Sequence, residues 1–245
     1  LTMNITLGLP GAARLIPTIA GGFSGVNFAV WVAGYLLFDE KMITLFSMLF
    51  GAGIVLFDRG RRAFFQRQAV LLGIGLVHAY LIWEGDILVP YAICGLAVFP
   101  FREWAPRRLL VLAFLVWLPS LALSAVFAGI LEESRGTAAW RAFQPTPAEV
   151  ERMIVTKRAQ SWSEGVRERA PEALGVETTV FAASFFWTIS ARMLVGMALL
   201  QLGVLPGTRK AGFYWRMAMA GYGVGYPFVV WAMGSLIERG FDPVF

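Results

Sequence analysis

The run Leu109–Leu131 contains no charged side chain, and it narrows the folds open to this chain more than any other feature. A helix crosses the ~30 Å hydrocarbon core of a bilayer with about 20 predominantly apolar residues, so this segment is long enough to span alone. Met217–Ile237 repeats the pattern. Thr179–Leu205 repeats it with one interruption, Arg192 near its middle. Phe64–Trp83 qualifies once Arg67 snorkels toward the interface. Met42–Phe57 and Ile87–Phe101 are shorter, each bounded by charges that can sit at headgroup level. The expected fold is an all-α, polytopic transmembrane helical bundle of about six full spans, a single integral membrane domain over residues 1–245.

Composition supports that class. The chain is 58% hydrophobic and 15% charged, where soluble domains carry about 25% charged residues. A soluble enzyme, a disordered chain and a secreted disulfide scaffold are excluded. The only cysteine, Cys94, precludes an internal disulfide, and the only histidine, His78, precludes a multi-histidine metal site. No metal or resident cofactor is expected.

Charge distribution sets the orientation. Basic residues cluster in Asp58–Arg67, Arg102–Arg108 and Gly207–Arg216. These loops alternate with acidic Trp83–Asp86 and with the mixed segment Glu132–Thr178. By the positive-inside rule the basic loops face the cytoplasm. The formal net charge of +5 is therefore read as topology, with the lipid bilayer as partner and no nucleic acid. An inner-membrane, multi-pass protein is expected.

Two segments outside the spans carry signals of their own. Within Leu15–Phe38, Pro17, Gly21, Gly22, Ser24 and Gly25 favour a loop before an interfacial helix at Phe28–Phe38. Leu1–Leu9 then reads as the remnant of an N-terminal helix. In the outer loop, about 132–178, Thr146-Pro-Ala-Glu149 is a capping box with proline at the first helical position. It opens a surface helix expected over Pro147–Arg169, closed by Pro171 and Gly175. That helix either covers the outer mouth or links two spans.

Ionisable groups inside a membrane cost at least about 2.5–3.5 kcal/mol for a central arginine, which singles out Arg192. It needs a buried partner, Asp86 or Asp39, or else an anionic ligand. His78 lies five residues before Trp83, about 7–8 Å below the outer interface. It is either hydrogen-bonded to a neighbouring helix or a base oriented by the acidic turn Glu84-Gly85-Asp86. Asp86 alternatively caps the next helix. Ser184, Thr188 and Arg192 are spaced i, i+4, i+8 and share one helix face, lining a substrate cavity or gluing helices together. Small-residue pairs (Ser47/Gly51, Gly73/Gly75, Gly221/Gly225) suggest close helix packing.

The blocks Leu45-Phe-Ser-Met-Leu-Phe-Gly51, Leu72-Gly-Ile-Gly-Leu-Val-His78 and Gly85-Asp-Ile-Leu88 with Tyr91-Ala92 resemble the YeiB family of bacterial inner-membrane proteins. Phe186–Gly203 is similar to the start of that family's C-terminal conserved region. Family members usually begin with an Asp-x-x-Arg-Gly element and continue through further helices, so the resemblance implies a chain truncated at both ends. It also implies a distant similarity to multi-pass acyltransferases that carry acyl groups across the membrane from a cytoplasmic donor such as acyl-CoA. In that reading Asn4 matches the asparagine ending the first helix. The active-site histidine of those enzymes follows the first helix, whereas His78 lies two spans later.

The leading expectation is an acyltransferase-like enzyme acting on an envelope acceptor. His78 is its general base, Asp86 orients it, and Arg192 steadies an anionic group, with Asn4, Ser184, Thr188 and Arg192 binding substrate. The alternative is a transporter or permease for a small anionic solute, and a purely structural membrane protein is a third. The orientation is checked by fusing alkaline phosphatase at Arg61. An inactive fusion is expected, and strong phosphatase activity would reverse the topology.

Overall fold

The computed structural model describes residues 23–38, 40–142 and 145–242. These residues form helices and connecting turns without strands. In chain order the helices are α1 Gly25–Leu37, α2 Lys41–Val55, α3 Gly60–Val77, α4 Leu88–Val98, α5 Pro106–Glu133, α6 Ala138–Ala142, α7 Pro147–Ala159, α8 Trp162–Gly175, α9 Phe186–Gln201, α10 Ala211–Ala220 and α11 Tyr226–Glu238. Three π-helical stretches continue the helices before them: His78–Ile82 after α3, Val176–Phe185 after α8, and Gly221–Gly225 between α10 and α11.

Among the described residues, four continuous helical stretches are long and apolar enough to cross a membrane: Gly60–Ile82, Pro106–Glu133, Trp162–Gln201 and Ala211–Glu238. The protein is thus an all-α membrane protein. Two segments expected as full spans come out shorter, as α2 and as Leu88–Phe101. At 1.5 Å per residue each is about 21–23 Å long, less than the ~30 Å hydrocarbon core. The remnant at Leu1–Leu9 and positions 15–22 of the expected loop lie outside the described residues, while Ser24 and Gly25 of that loop are the N-cap and first residue of α1. The helix expected at Phe28–Phe38 is present as α1, starting three residues earlier.

The outer segment corrects one expectation. Instead of one helix over Pro147–Arg169, the chain breaks at Gln160 and restarts at α8. A second capping box explains the restart. The Ser161 N–H donates to Glu164 Oε2 at 2.8 Å, and the Glu164 N–H donates back to Ser161 Oγ at 3.4 Å. The first box forms as expected, with the Thr146 N–H donating to Glu149 Oε2 at 2.7 Å. The backbone and then the side-chain hydrogen bonds from Thr146 hold the Glu149 carboxyl below the usual carboxylate range. Pro171 and Gly175 do not stop the chain: helical structure runs on from Trp162 to Gln201.

The chain divides into two compact units, one of Leu1–Met42, Val126–Gln160 and Lys210–Phe245, the other of Ile43–Ala125 and Ser161–Arg209. In the first, Tyr226 donates to the Leu36 carbonyl at 3.3 Å. Arg135 bridges Glu132 at 2.6 Å and Asp242 at 2.9 Å. In the second, Phe64, Tyr91, Val98, Phe99, Met193 and Met197 are buried in one apolar core, with Phe64 stacked on Phe99 at 4.0 Å between ring centroids.

That core depends on how closely α2 and α9 approach. A Cβ on Gly51 would collide with the Met193 carbonyl, and one on Gly196 with the Met48 carbonyl. The backbones therefore cross in direct contact, as small residues permit in lipid. Beside the crossing, Ser47 and the buried Tyr91 hydroxyl share a 2.5 Å hydrogen bond. Gly221 and Gly225 have no described neighbour that a Cβ would meet within 4 Å, so that spacing does not mark a close crossing.

Gly51→Val and Gly196→Val are each expected to destabilise the protein by at least the roughly 1–3 kcal/mol typical of overpacking. Gly53→Ala, where a Cβ meets nothing within 4 Å, should be neutral or stabilising. Thermal unfolding of the detergent-solubilised variants reads the difference, and equal behaviour of Gly51→Val and Gly53→Ala would contradict the crossing.

Candidate functional site

The end of α3 and the start of α4 build a hydrogen-bonded dyad. At His78 the helix widens to π geometry: the Trp83 N–H donates to the His78 carbonyl, five residues back, at 2.8 Å. π turns are rare and frequently accompany functional sites. The Arg169 guanidinium, from α8, donates to the Leu81 carbonyl in this turn at 3.1 Å. The imidazole Nδ1 lies 2.8 Å from Asp86 Oδ1, with the His78 side chain 33% exposed and that of Asp86 0%.

Asp86 is held from two sides. Its second oxygen, Oδ2, accepts the Val89 N–H at 2.7 Å in the first turn of α4. Asp86 thus contacts the His78 ring through one oxygen and a backbone N–H in the first turn of α4 through the other. Gly75 makes the approach possible. A Cβ there would lie 2.7 Å from the Val89 nitrogen and 3.0 Å from Asp86 Oδ2.

The chemistry follows from the acceptor. Where the carboxylate is ionised it only accepts hydrogen bonds, so Nδ1 is then the donor and Nε2 of a neutral ring presents its lone pair. A carboxylate that fixes the tautomer and orientation of an imidazole is the arrangement a general base requires.

Sequence reasoning missed Glu177. It sits at the start of the Val176–Phe185 π stretch. Both its oxygens are buried without a hydrogen-bond partner among the described residues. The available signal was its position where the outer loop turns apolar, but it was grouped with the solvated loop charges.

Arg192 belongs to a different place. It lines a cavity of about 340 Å³ with Thr44, Met48, Leu110, Trp117 and Thr188, and neither His78 nor Asp86 is part of that lining. Asp86 is engaged by His78 and Val89, and Asp39 lies outside the described residues. Thr188 joins Arg192 at the cavity but Ser184 does not. Ser184 falls in the π stretch that precedes α9, and its carbonyl accepts the Thr188 hydroxyl at 3.1 Å. Asn4 lies outside the described residues. Among the described residues no group of three or more His, Cys, Asp or Glu could hold a metal ion.

Comparison with known proteins gives relatives without an assigned activity. The chain is 31% identical over 222 residues to the uncharacterised protein YeiB of Escherichia coli (strain K12), covering 88% of this chain and 56% of that protein. It is 41% identical over 104 residues to the uncharacterised protein YxaH of Bacillus subtilis (strain 168), covering 39% of this chain and 26% of that protein. The chain thus spans little more than half of the first relative and about a quarter of the second. No protein-family model matches it, and no solved structure matches it.

Replacing Asp86 by Ala removes both anchors at once. The lost cap alone is expected to cost about 0.5–2 kcal/mol. Nitrogen-15 NMR of the only histidine should show the Nδ1–H tautomer in the unmodified protein and a mixture in Asp86→Ala. An unchanged tautomer would show that Asp86 does not orient the ring.

Proposed function

We propose that the chain is a YeiB-like protein and a membrane-embedded acyltransferase-like enzyme of the inner membrane, acting on an envelope acceptor. The observation that carries this reading is the 2.8 Å contact between His78 Nδ1 and the buried Asp86 carboxylate, which leaves Nε2 as the basic atom. In this reading the shorter helices α2 and Leu88–Phe101 also cross the membrane, giving six spans with the dyad toward the outer face.

The proposed reaction is transfer of an acyl group from a thioester donor such as acyl-CoA to an acceptor hydroxyl. Nε2 removes the hydroxyl proton as the oxygen attacks the acyl carbonyl. The carbon–oxygen bond forms, the carbon–sulfur bond breaks, and the thiolate leaves with the proton that His78 had taken. Asp86 steadies the imidazolium formed on the way. Arg192 and Thr188 bind a polar part of a substrate away from the dyad.

A transporter for a small anionic solute is the second reading. It is favoured by Arg192, an ionisable residue within a span that lines a cavity, since such residues mark substrate pathways.

His78→Ala tests the enzyme reading in proteoliposomes supplied with radiolabelled acyl-CoA and an envelope acceptor fraction. Loss of a factor of about 10²–10⁴ in acyl transfer is expected, the usual contribution of a general base. Unchanged transfer would overturn the assignment. Anion uptake by the same vesicles that Arg192→Ala abolishes would favour the transporter.

A further inference from the structure

We infer that the Arg192 cavity is a binding site for a fatty acyl chain, with the oxygen-bearing head of the chain at Arg192. Three observations converge on it. The first is size. At about 340 Å³ the cavity holds on the order of ten groups of water-molecule volume, enough for much of a medium-length chain.

The second is the character of its wall. Leu110, Phe114 and Trp117, all from the membrane-crossing helix α5, line it and are 39%, 57% and 41% exposed. The opening thus lies along a helix face that meets hydrocarbon. A ligand arrives there from the lipid phase, where an apolar chain partitions and a hydrated solute does not. The third is chemistry. Polar residues are sparse in the lining: Arg192, Thr44 and Thr188. Arginine offers five N–H donors in a rigid fork, so it can serve a carboxylate or acyl oxygen while keeping another partner.

Depth makes the lipid route the consistent one. Arg192 stands nine residues before Gln201, whose side chain donates to the Arg102 carbonyl in a basic loop at 3.1 Å. Nine residues of helix are about 13 Å. A polar acyl head at that depth needs a hydrogen-bond donor within the bundle.

The chain has two possible sources, the acyl part of a thioester donor or a free fatty carboxylate of the membrane. Their shared chemistry is an apolar tail with an acyl-oxygen head. Because the lining includes neither His78 nor Asp86, a thioester donor seated here is held apart from the dyad, and the inference rests on the acyl-transfer reading only for naming the chain as donor. Its test reads binding rather than turnover, so the two can fail separately.

The test photo-crosslinks the full chain in nanodiscs with three diazirine-bearing probes: dodecanoate, dodecanoyl-CoA and dodecyltrimethylammonium. Crosslinks from dodecanoate or dodecanoyl-CoA are expected on peptides carrying Leu110–Trp117 and Thr188–Val195, suppressed by excess dodecanoate. Arg192→Gln should cut them about tenfold, the scale of one lost charge-assisted hydrogen-bonded contact. Arg192→Lys should restore a substantial part, which a misfolded variant would not. Labelling by the thioester identifies the donor as the source, and labelling by the carboxylate alone identifies a membrane fatty acid. Equal labelling by the cationic probe, labelling insensitive to Arg192→Gln, or crosslinks confined to other helices would overturn the site.

Discussion

Asp86 divides one carboxylate between two tasks, and the geometry of the proposed active site depends on that division. Oδ2 is fixed by the Val89 N–H at 2.7 Å and Oδ1 by the His78 ring at 2.8 Å. Breaking a buried charge-assisted contact leaves an unsatisfied group that costs more than an ordinary hydrogen bond gains. The cap at the head of α4 therefore stabilises the dyad, and the dyad stabilises the cap. Gly75 sets the distance, because a side chain there would displace both Val89 and Asp86.

A similar economy of space governs the other candidate site. Direct backbone contact at Gly51 and Gly196 brings α2 and α9 together. Thr44 and Met48 of α2 then share a cavity with Thr188 and Arg192 of α9. Larger residues at the crossing would separate these walls. The two sites thus rely on one device, glycine at a helix–helix or helix–turn contact, used once to seat a base and once to frame a cavity beside a cation.

Much of this was legible in the sequence, because a membrane makes charge expensive and so makes its position informative. The long uncharged runs gave the helices around Leu109–Leu131 and Met217–Ile237, and the spacing of His78 and Asp86 across a short turn gave the dyad. Three kinds of feature were not legible. Glu177 looked like a loop charge because burial is a tertiary property. The π stretch that holds Ser184 was not legible because the sequence carries no mark of where a helix widens. Ser161 and Glu164 form a capping box as recognisable as Thr146 and Glu149, but the charged stretch around them read as one continuous helix.

The presence of a single histidine permits a direct measurement of the central claim, that His78 Nε2 is the reacting base. Diethyl pyrocarbonate acylates neutral imidazole, and mass spectrometry can follow the fraction of His78 modified alongside acyl transfer in the same sample. The account predicts that activity falls in proportion to modification and returns when hydroxylamine removes the adduct. Full activity in protein whose His78 is completely modified would contradict it.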